Sequence, residues 1–304
     1  MKKILVATTA LIATAGMAAA DVSFGGYGRF GVVHSDGDNN MHQRFRLNIT
    51  AKTETTGGLA VSGTVRLQAD SKADDSAFGR DLSSAKFGLA YGGFSMEVGN
   101  AEDMLFQQKA FKYQGANIGL TGISSRRHAF NDGFDRNDMG QDGDNQQRIN
   151  VVYTNSGFTG AATHTLETGS NENAYTQVGV GYNFGNGTVG LGYGDSDIKG
   201  EYWVAALDMS FGDFNVGGIV GESDALDDTV YGFSADYQVG SATKLLAIYS
   251  GGGDKANDDH YGVGFIHNLG GGVTLRGAVA QVSDSKIDGG NGFTKADFGI
   301  RFDF

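Results

Sequence analysis

Five basic residues stand beside apolar ones at alternating positions. Arg29 precedes Phe30, Arg44 and Arg46 flank Phe45, Arg66 lies between Val65 and Leu67, and Lys86 lies between Ala85 and Phe87. In extended chain, alternation of this kind sends the charges to one face and the apolar groups to the other. Guanidinium and ammonium groups so placed offer fixed positive charge and hydrogen-bond donors to carboxylates, phosphates and water. Complementary acids gather in one stretch, with Glu102 and Asp103 the leading candidates and Asp132, Asp135 and Asp138 following. Covalent or metal-assisted catalysis has less footing. There is no G-x-S-x-G elbow, no H-E-x-x-H helix and no Cys, and His34, His42, His128, His164, His260 and His267 show no ligand spacing. A hydrolytic triad assembled across strands would leave no local motif, so a barrel enzyme stays as a rival reading, which ester or phospholipid hydrolysis by pure protein would support.

Acid-rich stretches at 131–145, containing Asp142 and Asp144, and at 35–40 carry oxygen ligands of the type Ca²⁺ takes. Neither follows the ordered spacing of an EF-hand loop, and a solvated acidic surface is the competing reading. No other cofactor is expected.

The elements that would carry these side chains are strands. In "FRLNITA", Phe45, Leu47, Ile49 and Ala51 alternate with Arg46, Asn48 and Thr50, and "LAVSGTVRLQA" repeats the pattern with Arg66 and Gln68 on the polar face. Seven short glycine-containing turns punctuate the chain at 55–58, 91–94, 155–158, 184–187, 211–214, 239–242 and 269–272. The turn glycines Gly157, Gly185, Gly212, Gly240 and Gly270 are 28, 27, 28 and 30 residues apart. Between turns lie eight longer polar connections, beginning near 34, 70, 101, 167, 195, 222, 250 and 284. Fifteen connections require sixteen strands, with both termini at the same end.

The chain holds 50 Gly and no Pro in 304 residues. Proline lacks the amide a sheet ladder needs, whereas glycine serves tight turns and close backbone approach. The first twenty residues read as a cleaved secretory signal: Lys2 and Lys3, an apolar run from Ile4 to Ala15, then Ala18-Ala19-Ala20. Loss of those two lysines takes the formal charge from −12 to −14 over residues 21–304, which argues against nucleic acid as a partner. No later run reaches about 18 apolar residues, so helical membrane spans are excluded, while strand spans are not. A soluble sandwich also alternates. It would not place long charged connections at one end of the hairpins and minimal turns at the other, an asymmetry that suits a membrane barrel.

The chain ends "ADFGIRFDF", with Phe298, Ile300, Phe302 and Phe304 on one face. Together with the export signal, the hairpin period and an oversized third connection, this resembles the trimeric general porins of Gram-negative outer membranes, particularly the Rhodobacter-type branch, over residues 21–304. The resemblance implies an all-β fold: a 16-stranded antiparallel transmembrane β-barrel whose third loop, about 101–146, folds into the pore. It implies an outer-membrane channel for ions and small hydrophilic solutes, assembled as a homotrimer in lipid, with the terminal strand read by the barrel-assembly machinery.

In that frame Arg29, Arg44, Arg46, Arg66 and Lys86 form a basic wall facing Glu102, Asp103, Asp132, Asp135 and Asp138 on the loop, and the transverse field between them would orient dipolar solutes. Lys109 and Lys112 depart from the strongly acidic loop of that branch and leave the sign of ion selectivity open. The segment from Ala101 to Gln114 carries Glu102 and Asp103 where a short helix would start. Phe302, Phe304 and Trp203, with Tyr182, Tyr193 and Tyr237, read as membrane-interface girdle, and small outward Gly26 and Gly28 suggest a subunit contact on the first strand. A solute-specific channel is the alternative. It would be expected to show an aromatic track, and Tyr27 is the only aromatic on the inward face of the first strand.

Overall fold

The computed structural model describes residues 21–71, 79–107, 117–124, 130, 133–135, 139, 147–167, 173–253, 259–282 and 292–304. The proposed signal, residues 1–20, lies outside them, as do Asp132, Asp138, Asp142, Asp144, Lys109 and Lys112.

The wall begins with β1 (Asp21–Ser35), β2 (Asp38–Glu54), β3 (Ala60–Asp70), β4 (Gly79–Leu82), β5 (Lys86–Tyr91) and β6 (Phe94–Gly99). A long inserted segment carries α1 (Met104–Gln107) and a small hairpin, β7 (Asn117–Ile118) and β8 (Ile123–Ser124). The wall resumes with β9 (Gln147–Asn155), β10 (Phe158–Leu166), β11 (Tyr175–Asn183), β12 (Gly187–Ser196), β13 (Gly200–Phe211) and β14 (Phe214–Ser223). It finishes with β15 (Val230–Val239), β16 (Thr243–Gly252), β17 (His260–Gly270), β18 (Val273–Val282) and β19 (Phe293–Asp303). Successive strands of the wall pair antiparallel, β6 with β9 across the insertion, and β19 returns to β1, so the sheet closes on itself. β4 and β5 pair successive parts of β3 and make one interrupted crossing, which brings the crossings to sixteen. At the break, Ser83 takes the place of a ladder partner: its N–H donates to Arg66 O at 2.8 Å and its Oγ accepts from Arg66 N–H at 2.8 Å.

All seven short turns lie where glycine spacing puts them. The first long connection does not exist. β1 and β2 are joined by Asp36-Gly37 alone, both at positive φ (51° and 87°), the backbone of a tight type I′ hairpin for which Asp-Gly is suited. The polar residues expected to form a loop, Asn39 and Asn40 among them, extend the ladder instead, paired with His34 and Val33. The stretch at 35–40 is therefore turn and strand, not a loop. Similarly, only residues 197–199 separate β12 from β13.

Apolar side chains crowd the outer face. Phe24, Phe30, Phe45, Leu67, Phe87, Leu191, Phe233, Val263 and Phe298 are all exposed. Near the short turns, Tyr182 packs on Phe158 with ring centroids 4.4 Å apart and Tyr237 on Phe214 at 4.8 Å. Near the opposite rim Trp203 is cross-strand from Tyr193. Aromatic belts at both rims of an apolar band suit a membrane span. Phe304 pairs with Gly26 through two backbone hydrogen bonds (2.9 and 3.1 Å) and stacks on Phe45 at 5.4 Å. Gly28 is covered within the chain: a Cβ there would lie 2.3 Å from the ring of Phe302.

Candidate pore constriction

The inward faces of β1 to β3 bring the four sequence-predicted arginines together. Cross-strand register sets Arg29 opposite Arg44 and Tyr27 opposite Arg46, and sets Arg44 and Arg46 opposite Asp70 and Gln68. Closure adds two cations that local pattern reading did not group with them. Arg301 of β19 is opposite Arg29, and Arg276 projects from the inward face of β18. Tyr27 is the hub. The guanidinium of Arg301 lies 4.0 Å from its ring centroid, that of Arg46 5.4 Å and that of Arg29 5.9 Å, each within cation–π range. Arg44 reaches the Tyr27 hydroxyl at 3.5 Å and forms an ion pair with Asp70, and Arg301 pairs with Asp303 at 2.6 Å.

The arginines divide by task. Arg29 and Arg66 are 8% and 7% exposed and turn toward the inserted segment, where Arg29 Nη1 donates to Leu120 O at 2.8 Å and Arg66 Nη1 to Met139 O at 3.0 Å. Arg44, Arg46 and Arg301 are only partly buried. Lys86 lies 3.3 Å from Glu97 and 3.9 Å from Glu102, so Glu102 meets the wall where it was expected to.

Asp103 and Asp135 do something different from facing an aqueous gap. Asp103 is fully buried, caps α1 by accepting from Phe106 N–H at 2.8 Å, and accepts from the Tyr175 hydroxyl at 3.1 Å. Asp135, 3% exposed, accepts from Asn173 Nδ2 at 2.8 Å and from the Tyr202 hydroxyl at 3.4 Å. Both are polar anchors of the segment on the wall. A buried carboxylate persists only when hydrogen-bonded, and these two are.

Further anchors escaped the sequence. Gln177, fully buried on β11, accepts from Met104 and Leu105 N–H at 3.1 and 3.4 Å and donates to Asp135 O at 2.6 Å and Tyr202 Oη at 3.0 Å. Asp297 on β19 accepts from Leu120 N–H, Thr121 N–H and Thr121 Oγ1 at 2.8, 2.8 and 2.6 Å. Arg148 on β9 donates to Ala101 O and to Thr165 Oγ1. Their inward parity was readable from alternation, most plainly for Asp297 and Arg301 in "ADFGIRFDF". Closure of the last strand on the first is part of the barrel reading; what was missing is the register that sets Arg301 opposite Arg29.

Apolar packing completes the attachment. Met104, Leu105, Phe130 and Phe134 form one buried cluster with inward Tyr202, Val204, Ala206 and Ile219, and Ile118 and Ile123 form another with Leu246, Ile248, Ala280 and Val282. Inward glycines make the room: a Cβ at Gly179 would come 2.7 Å from Met104 Sδ, and one at Gly262 equally close to Ile118 Cδ1. The inner wall is therefore not polar all round, as alternation alone had implied. Among the described residues, no group of three or more His, Cys, Asp or Glu is placed to hold a metal ion.

A family model described as Gram-negative porin matches residues 7–287. The chain belongs to the Gram-negative porin family. This porin is 28% identical over 282 residues to a porin of Fuscovulum blasticum, a match covering 76% of this chain and 95% of that one. To a porin of Rhodobacter capsulatus it is 25% identical, covering 93% and 100%. Among solved structures, a triple mutant of the Rhodopseudomonas blastica porin superposes with a TM-score of 0.79 at 23% identity, over 93% of this chain and all of that one. A quintuple mutant of the same porin gives 0.78 at 24%. Membership and fold place this porin in the Gram-negative outer membrane as a diffusion channel for ions and small hydrophilic solutes, its apolar face toward lipid and its bore filled with water.

Proposed function

We propose that passage is selected at a constriction between the basic wall of β18, β19 and β1 to β3 and the segment between β6 and β9. The observation that carries this reading is that pieces of one segment touch inward side chains on opposite parts of the barrel: Leu120 and Met139 at Arg29 and Arg66, and Met104, Phe134 and Ile118 at β11, β13 and β17. A segment held on both sides narrows the bore between them. Arg44, Arg46 and Arg301 then line the remaining passage, with Glu97 and Glu102 beside Lys86 supplying negative charge. Such a field favours dipolar solutes, whereas an apolar solute cannot replace the hydration lost by the charged walls. No aromatic track accompanies Tyr27 among the inward residues of β1, which favours general diffusion over one preferred sugar.

Reversal potentials in a salt gradient across planar bilayers test the reading. An Arg46→Ala, Arg301→Ala double variant should shift selectivity toward cations, and unchanged potentials would refute it. Homotrimeric assembly and recognition of the Phe304 strand by the barrel-assembly machinery complete the proposed function. Electrophoresis of unheated samples tests the first, and insertion of a chain lacking Phe304 tests the second.

A further inference from the structure

The wall closes where its last strand meets its first, and the chain runs the whole circuit between them. On the lipid side of this seam, Phe30 opposite Ile300 and Val32 opposite Phe298 supply ordinary cross-strand packing. The inner side is poorer. Arg29 stands directly opposite Arg301, a like-charge pair that works against pairing, and in the next inward register Gly31 stands opposite Gly299, with no side chain on either strand.

One residue of the inserted segment meets both strands at this place. Leu120, 1% exposed, lies at the tip of the β7–β8 hairpin. Its N–H donates to Asp297 of β19 at 2.8 Å, and its carbonyl accepts from Arg29 of β1 at 2.8 Å. Its side chain covers the glycine pair: a Cβ at Gly31 or Gly299 would come 2.7 or 2.6 Å from Leu120 Cδ2. Thr121 gives Asp297 two further donors, its N–H at 2.8 Å and its hydroxyl at 2.6 Å. Gly119, at a φ of 76°, brings the tip so near to β19 that a side chain there would strike the Asp297 carboxylate. Behind the tip, Ile118 packs with Leu246, Ile248 and Ala280, so the hairpin lies across β16 to β18 and reaches the seam from that side.

We propose that the β7–β8 tip is a staple for barrel closure, holding β19 to β1 from inside, so that narrowing the bore and locking the wall are one docking event. The inference goes beyond solute selection and does not depend on it. Leu120 holds one strand through its N–H and the other through its carbonyl, so parting the strands breaks at least one of these bonds. A group that binds only the closed seam stabilises it by the free energy of its own binding.

Hydrogen exchange of the full chain in detergent micelles, read peptide by peptide with mass spectrometry, is the test. In a Leu120→Ala, Asp297→Asn variant, amides of β1 and β19 should exchange about tenfold faster or more, as loss of a buried leucine side chain requires, while those of β13 and β14 keep their wild-type rate. A second variant separates closure from docking. Ser35 and Lys295 are directly opposite across the seam, and the chain has no Cys of its own. Adding Ser35→Cys and Lys295→Cys, oxidised to a disulfide, should return β1 and β19 to nearly wild-type exchange, although a protease still cuts between β6 and β9 faster than in wild type. Unchanged exchange in β1 and β19 with faster cutting would mean that the tip anchors the segment alone, and would overturn the staple. Exchange raised equally in all strands would overturn it too, because the effect would not belong to the seam. If the double variant does not fold in micelles, Leu120→Ala alone carries the same comparison. None of these outcomes touches the channel reading, which conductance decides.

Discussion

The inner wall has two unlike halves. From β18 through β19 to β3 it presents Arg276, Arg301, Arg29, Arg44, Arg46 and Arg66 around Tyr27, hydrogen-bonded and partly wet. From β10 through β17 it presents Val204, Ala206, Ile219, Leu246 and Ile248, dry beneath the inserted segment. On β13 the residues facing out (Trp203, Ala205, Leu207) and those facing in (Tyr202, Val204, Ala206) are both largely apolar. In a barrel whose outer face meets lipid, a strand apolar on both faces signals that protein, not water, covers it from inside. The polar half carries the cations, and the apolar half holds the inserted segment.

Removing apolar anchors should break this contrast most severely. Phe134, 1% exposed, packs on Phe130 and Tyr202 with ring centroids 5.2 and 5.3 Å away. Phe134→Ala should cost segment docking about 3–5 kcal/mol, with Ile118→Ala adding about 2–5. Larger, noisier single-channel conductance is the expected outcome, with the barrel still folded by heat-modifiable electrophoresis. Asp297→Ala comes next, at about 3 kcal/mol for three lost acceptor contacts on a charged group. Limited proteolysis should then cut between β6 and β9 faster than in wild type, and an unchanged rate would count against the anchor role.

A finer comparison lies within the polar half. Arg66→Ala should change both selectivity and current noise, because Arg66 holds Met139 O. Arg46→Ala should move the reversal potential alone, with unfolding free energy altered by about 0.5 kcal/mol or less. On the outer face, Phe304→Ala should cost about 1 kcal/mol through its stacking on Phe45, read as a lower urea midpoint for unfolding from detergent micelles with selectivity unchanged.

Local pattern carried much of this. Glycine spacing placed the seven short turns, because a turn must be paid for in φ at a definite position, and the polar stretches between them completed the count of sixteen crossings. Alternation assigned parity correctly to Arg29, Arg44, Arg46, Arg66 and Lys86. It failed at residues 34–41, where polar composition was read as loop. A two-residue Asp-Gly turn needs no more chain than itself, and polar side chains facing a wet vestibule sit as well on a strand as in a loop. Asp103 and Asp135 read as pore charges only through the resemblance that folds their loop into the bore, and neighbours distant in sequence, Tyr175, Asn173 and Tyr202, turn them into buried anchors.

By itself the sequence determined how far the chain runs before it turns and which side of each strand is greasy, since both follow from steric and solvation preferences acting over a few residues. Only the tertiary structure decided which inward faces stay wet. That depends on β19 meeting β1, which completes the arginine cluster, and on where the inserted segment lies down, which desolvates the opposite wall; both are contacts between residues far apart in the chain, and no local preference encodes them.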